Sequence, residues 1–188
     1  MVTVIIASPR EKSNSKILAE KLLEELEDEK TIFKLYELNI EPCIACCRCY
    51  RYLECYKRDD VKEIFRAIQR SELLVVSSPV YFYGPPAPLK ALIDRSQPYW
   101  YRKFILKEKL REIKGVVINT CASEDIKTFD AMEKIIRIWL NSLNVKIESY
   151  LRFTGLEEEG EVYRREDYLR EVIIEAKRIG SLKIKGDS

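Results

Sequence analysis

The chain has 188 residues, 46% of them apolar, with 33 basic and 31 acidic side chains and no histidine. That length and apolar content suit one globular domain with a full hydrophobic core and exclude a disordered polymer. The near-balanced charge gives no argument for a nucleic-acid partner, no apolar run approaches the ~18 residues of a membrane span, and imidazole chemistry is excluded outright.

VTVIIA (2–7) is a continuous apolar run rich in β-branched residues, as in a strand covered on both faces. Because no basic region precedes it, the N-terminus reads as strand rather than signal peptide, and a reducing cytoplasm is the expected compartment. Residues 13–30 form a helix with Leu18, Leu22 and Leu26 on one stripe and Ser13, Asn14 or Ser15 as its cap. TIFKLYEL (31–38) alternates as a strand, and a cysteine-rich segment (39–58) follows it. Residues 59–70 form a helix with Val61, Ile64, Phe65 and Ile68 on one face and Asp60 and Glu63 at its start in capping-box style. Further strands are expected at 72–79, 113–120 and 145–153, and further helices at 85–95, 125–143 and about 161–179. In RSQPYWYRKFILKEKLREIK (95–114), aromatics mix with cations. This is either a solvated helix with a packed aromatic end, or a surface whose Tyr99, Trp100 and Tyr101 are buried by another subunit.

Five strands alternating with helices predict a single α/β domain over 1–188. Its doubly wound parallel sheet takes the flavodoxin-like order 2-1-3-4-5, with the cysteine segment inserted after strand two. Ligands bind such sheets where the connections reverse, beyond the C-terminal ends of strands one and three. There SPREKSNS (8–15) matches neither GxGxxG nor a Walker loop. It offers Ser8, Arg10, Ser13, Asn14 and Ser15 at a helix N-terminus, which is either a phosphate-monoester site or an ordinary capped helix. SSPVYFYGPPAP (77–88) sets three aromatics at the same edge, to lie against a flat ring or to pack on the core. NTCASED (119–125) adds small polar groups and one thiol. A receiver domain shares the topology but needs carboxylates where this chain has Ala7-Ser8 and Ser77-Ser78, so it is excluded.

PCIACCRCYRYLEC (42–55) holds five of the six cysteines. Without Cys47 the spacing is C-x2-C-x2-C-x5-C, through Cys43, Cys46, Cys49 and Cys55. The first three match the spacing of the bacterial ferredoxin run, which points to a [4Fe–4S] cluster. Zinc more often uses two separated CxxC pairs, and a metal-free redox or bystander role is the third reading. Cys47 reads as a spare. Abundant charge (34%) with glutamine only at Gln69 and Gln97 also matches thermophile usage.

The two stretches IEPCIACCRCYRYLECYKRDDV and SSPVYFYGPPAPLKALIDR resemble the iron–sulfur flavoproteins, within the NAD(P)H-dependent FMN reductases. The resemblance runs from Val2 to about Asn119. It implies FMN, a compact [4Fe–4S] cluster on Cys43, Cys46, Cys49 and Cys55, and homodimers or homotetramers. It further implies that Ser8, Arg10, Ser13, Asn14 and Ser15 hold the FMN phosphate. Pro79, Val80, Tyr81, Phe82 and Tyr83 then line the isoalloxazine, with Asn119, Thr120 and Cys121 nearby. Many relatives have glycine at the positions of Ala7 and Ala45, and GNT where this chain has SNS. The function implied is FMN-dependent electron transfer from a ferredoxin-like or NAD(P)H donor to a small-molecule acceptor, with no catalytic side chain required. A cluster-free NAD(P)H-dependent FMN or quinone reductase, and a zinc-stapled binding module, are the alternatives. No nicotinamide site is recognisable.

Overall fold

The computed structural model describes the backbone of residues 1–184, so the expected domain limit at 188 lies outside the described residues. The strands are β1 (Val2–Ile6), β2 (Lys30–Lys34), β3 (Leu73–Pro79), β4 (Ile113–Thr120) and β5 (Val145–Phe153). They pair in parallel in the order β2-β1-β3-β4-β5, the flavodoxin-like arrangement. The helices are α1 (Asn14–Glu24), α2 (Arg48–Tyr52), α3 (Val61–Arg70), α4 (Ala87–Asp94), α5 (Gln97–Trp100), α6 (Asp130–Ser142) and α7 (Glu166–Ile184).

The unbroken apolar run of β1 follows from burial on both faces. Val2, Val4 and Ile6 pack with Leu18 and Leu22 of α1 and Val172, Ala176 and Ile179 of α7. Ile5 and Ala7 face the opposite way, toward Ile64 and Ile68 of α3, Leu89 of α4, and Ile136 and Trp139 of α6. β2 is one of the two edge strands, and its Ile32 is half exposed.

Helix α1 stops at Glu24 rather than Lys30. Glu24, Glu25, Glu27, Asp28 and Glu29 crowd carboxylates at the negative end of the helix dipole, which opposes another turn. Ser13 is the cap, its Oγ accepting from Lys16 N at 3.2 Å. β2 gives way at Leu35 to a 3₁₀ turn over Leu35–Glu37. α3 begins at Val61 without the expected capping box, because the Asp60 carboxylate instead accepts from Asn39 N at 2.7 Å. Residues 95–114 are not one helix. α5 passes into a π turn over Tyr101–Ile105 and then an irregular strand approach. The last helix starts at Glu166, after a 3₁₀ turn over Glu161–Arg164.

Because every strand is parallel, the segments after β1, β3, β4 and β5 meet at one edge of the sheet, and the cysteine segment leaves β2 at that same edge. Among the described residues no helix is long and apolar enough to cross a membrane.

Candidate functional site

A cavity of about 240 Å³ opens at the switch point, beyond the ends of β1, β3 and β4. Ser8, Arg10, Ser13 and Asn14 line one side, and Pro79, Val80, Tyr81, Thr120 and Cys121 the other. Ser15 stands behind this wall, its hydroxyl 3.1 Å from that of Ser13. Asn119 also lies off the wall: its amide donates to Ser78 O at 3.2 Å and its Oδ1 accepts from Tyr150 Oη at 2.6 Å. Asn14 lines the cavity, yet both ends of its amide are engaged. Nδ2 donates to Glu158 O at 2.7 Å, and Oδ1 accepts from Val162 N at 3.0 Å. The side chain thus clamps the segment after β5 against the start of α1.

That segment was not assigned a role from the sequence, yet Leu156 and Glu157 complete the cavity wall. The legible signal was a glycine pair. Gly155 and Gly160 have φ of +63° and +71°, and a Cβ on Gly155 would fall 2.3 Å from Glu124 Oε1. Arg10 reaches over to donate from NH1 to Glu157 O at 2.7 Å. The Cys121 thiol donates to Ser123 O at 3.2 Å, and burial pushes its pKa up to about 11. It is therefore a neutral, unreactive thiol near neutral pH.

After β3 the chain makes a tight two-residue turn, closed by Tyr81 N to Gly84 O and Gly84 N to Tyr81 O, both 2.9 Å. Its tip residues Phe82 and Tyr83 have φ of 48° and 63°, left-handed values that side-chain-bearing residues adopt at a cost. Tyr81 reaches the cavity wall. Phe82 and Tyr83 do not, and Phe82 is fully exposed. Of the three aromatics at 99–101, Tyr99 is covered by its own chain, its ring 4.9 Å from that of Phe65, and burial raises its pKa to about 12. Tyr101 stacks on Tyr50 at 4.8 Å, while Trp100 stays exposed.

The second cavity, about 370 Å³, is walled by Cys43, Cys46, Cys49 and Cys55, and by Cys47 as well. It shares no wall residue with the first cavity. The loop reaches this shape through left-handed backbone at Ala45 (φ 52°), Cys47 (φ 57°) and Leu53 (φ 57°), on either side of the short α2. A glycine in place of Ala45 would adopt that φ without strain. All five thiols are free, and the Cys47 thiol donates to Ala45 O at 3.4 Å. Burial, reinforced by the neighbouring Cys55, Cys43 and Cys46, raises the pKa of Cys49. Among the described residues, no three His, Cys, Asp or Glu side chains converge as the ligands of one ion do. Four thiolates on one zinc would sit roughly 3.8 Å apart, from Zn–S bonds of ~2.3 Å in a tetrahedron.

Beneath the cysteines lies a buried ion pair that sequence reading did not pick out. Arg95 follows α4 and is 3% exposed. It donates to both oxygens of Asp59, at 2.7 and 3.0 Å, and to Glu41 O at 2.8 Å. Burial opposes charge on both groups, but their mutual bonds prevail, holding Asp59 low and Arg95 high. The two residues lie 36 positions apart, so no local spacing announces them.

A sheet of this order with a cavity at its switch point defines a flavodoxin-like protein, and the chain belongs to the NADPH-dependent FMN reductase family, whose model matches residues 1–120. That family comprises FMN-dependent oxidoreductases. An iron–sulfur flavoprotein of Archaeoglobus fulgidus is 30% identical over 140 residues, covering 72% of this chain and 61% of its own. Another, from Methanosarcina thermophila, is 34% identical over 113 residues, covering 58% and 59%. One from Methanocaldococcus jannaschii is 37% identical over 97 residues, or half of each chain. The matches thus span half to three-fifths of these relatives' lengths. Among solved structures, an NAD(P)H:quinone oxidoreductase from Methanothermobacter marburgensis superposes with a TM-score of 0.69 at 21% identity, covering 95% of this chain and 94% of its own. An FMN-dependent NADH-azoreductase from Bacillus anthracis, solved with FMN, gives 0.66 at 17%, covering 96% and 100%. Likenesses at that identity establish the fold.

Proposed function

We propose that the chain is an FMN-dependent electron-transfer oxidoreductase that also carries a [4Fe–4S] cluster and couples a one-electron carrier to reduction of a small acceptor. The observation that carries this reading is that Cys43, Cys46, Cys49 and Cys55 surround one cavity at the same sheet edge as the mononucleotide pocket. A cubane takes its thiolates at separate corners, which four cysteines around one volume can supply. The pocket fits a phosphate monoester: the hydroxyls of Ser8 and Ser13, the guanidinium of Arg10 and the first amides of α1 all border it. Asn14 and Ser15 serve through their backbone N–H groups, and Pro79, Val80, Tyr81 and Thr120 flank the flavin side. Phe82 and Tyr83 extend this flank outside the cavity, and Asn119 anchors its floor.

When bound, FMN supplies two-electron and one-electron chemistry and the cluster supplies one-electron transfer. The protein's own side chains bind, orient and exclude water. None need move a proton, since the chain has no histidine and the one thiol at the flavin pocket keeps its proton. The donor is a ferredoxin-like carrier or NAD(P)H, and the working form is a homodimer or homotetramer in the cytoplasm.

Strictly anaerobic purification followed by a visible spectrum and iron and sulfide assays tests the reading. The expected product is brown, with flavin and about four irons and four sulfides per chain. Yellow protein without sulfide would leave a cluster-free reductase, and colourless zinc protein a binding module.

A further inference from the structure

We infer that Arg95 is a positioning residue for the cluster, its Nε–H held by Asp59 as the hydrogen-bond donor to the Cys55 thiolate, and that it raises the cluster's reduction potential. The inference rests on the cluster reading above. Three bonds fix the guanidinium plane: two to Asp59 and one to Glu41 O. The side chain of Asp59 is fully buried, and Oδ2 is itself pinned by Glu41 N at 3.0 Å. The remaining guanidinium donor on the chain side, Nε, is buried and has no hydrogen-bond partner. A buried N–H left without an acceptor is costly, so its retention calls for an explanation. Arg95 and Cys55 border the same cavity, and the guanidinium interacts electrostatically with the Cys55 sulfur. A protonated thiol is a weak acceptor, whereas an iron-bound thiolate is a charged one. The vacant donor therefore matches Cys55 in its ligating form.

Asp59 sharpens the effect. It neutralises the guanidinium, so what reaches the sulfur is a directed N–H dipole rather than a free cation that would attract water. A hydrogen bond to a ligating sulfur offsets the charge added on reduction and so favours the reduced state.

The test is an anaerobic, EPR-monitored redox titration of cluster-loaded protein, with the FMN midpoint in the same sample as internal reference. Arg95→Gln alone strands a buried carboxylate, so the variants are Arg95→Lys, which keeps the ion pair but lacks the Nε donor, and the paired Asp59→Asn/Arg95→Gln, which removes both charges. Each is expected to disfavour cluster reduction at least tenfold, a fall of 59 mV for one electron, with the FMN midpoint unmoved. Wild-type cluster potential in folded, iron-loaded Arg95→Lys protein overturns the inference, and that variant decides alone if the pair fails to assemble. Wild-type protein with no cluster at all would instead sink the reading beneath it.

Discussion

Cys121 and Asn14 both line the switch-point cavity, and the fold uses each for something other than its obvious chemistry. The Cys121 thiol keeps its proton to about pH 11 in the folded chain because burial disfavours the thiolate, whereas an exposed thiol ionises near 9.0. Between those values the unfolded state has released a proton that the folded state retains. Stability from this group is thus intact below pH 9 and lost as pH rises toward 11. Urea denaturation across that window is expected to show a shallower alkaline loss for Cys121→Ala than for the parent. Asn14 spends its amide on Glu158 O and Val162 N, and Val162 is wholly buried. Asn14→Ala is expected to cost about 1–3 kcal/mol in urea unfolding by stranding that amide. FMN affinity, which the proposed site assigns to the backbone N–H here, should change less than stability.

Turns carry the strain in this molecule. A two-residue turn with both φ values positive is normally built from Asn-Gly, and here it is Phe82-Tyr83. Replacing the pair with Asn-Gly is expected to raise stability by about 1–2 kcal/mol, read as a higher urea midpoint at unchanged slope. Ala45→Gly in the cysteine loop should act in the same direction by about 1 kcal/mol, since φ there is 52°. Gly115 in β4 is the opposite case. β5 shifts register beside it, and a Cβ would meet Val145 Cγ1 at 2.6 Å. Gly115→Ala is therefore expected to cost about 1–3 kcal/mol by overpacking. The central strands β1, β3 and β4 were legible because burial on both faces demands largely apolar runs. Helix ends were less so, since the stop at Glu24 depends on accumulated charge rather than on any one breaker.

Taken together, most exposed ion pairs stand alone, but a few join into small networks. Lys16 lies 2.8 Å from Glu11 and 3.9 Å from Glu20, and Glu133 holds Arg137 at 2.6 Å and Arg152 at 3.2 Å. Single exposed pairs contribute little near 25 °C, but the desolvation penalty of networks falls with heat. A calorimetric Tm above the ~45–65 °C of mesophile domains is the expected outcome. A value inside that range would dismiss the thermophile reading of the composition.

The alternation of apolar runs and amphipathic stripes was enough to specify the sheet and its strand order, because those follow from local periodicity and the handedness of crossovers. The spacing of the cysteines marked them as one group, but it is the loop's left-handed turns at Ala45, Cys47 and Leu53 that bring them around one cavity. Folding alone brought Asp59 under Arg95 and the loop after β5 onto the start of α1, a separation of 144 residues between Asn14 and Glu158. The Asp59–Arg95 contact has no local sequence signature, and Gly155 and Gly160 mark the turns of the loop but not the partner it meets. Each contact is a long-range pairing of buried polar groups whose partners are chosen by where the backbone carries them.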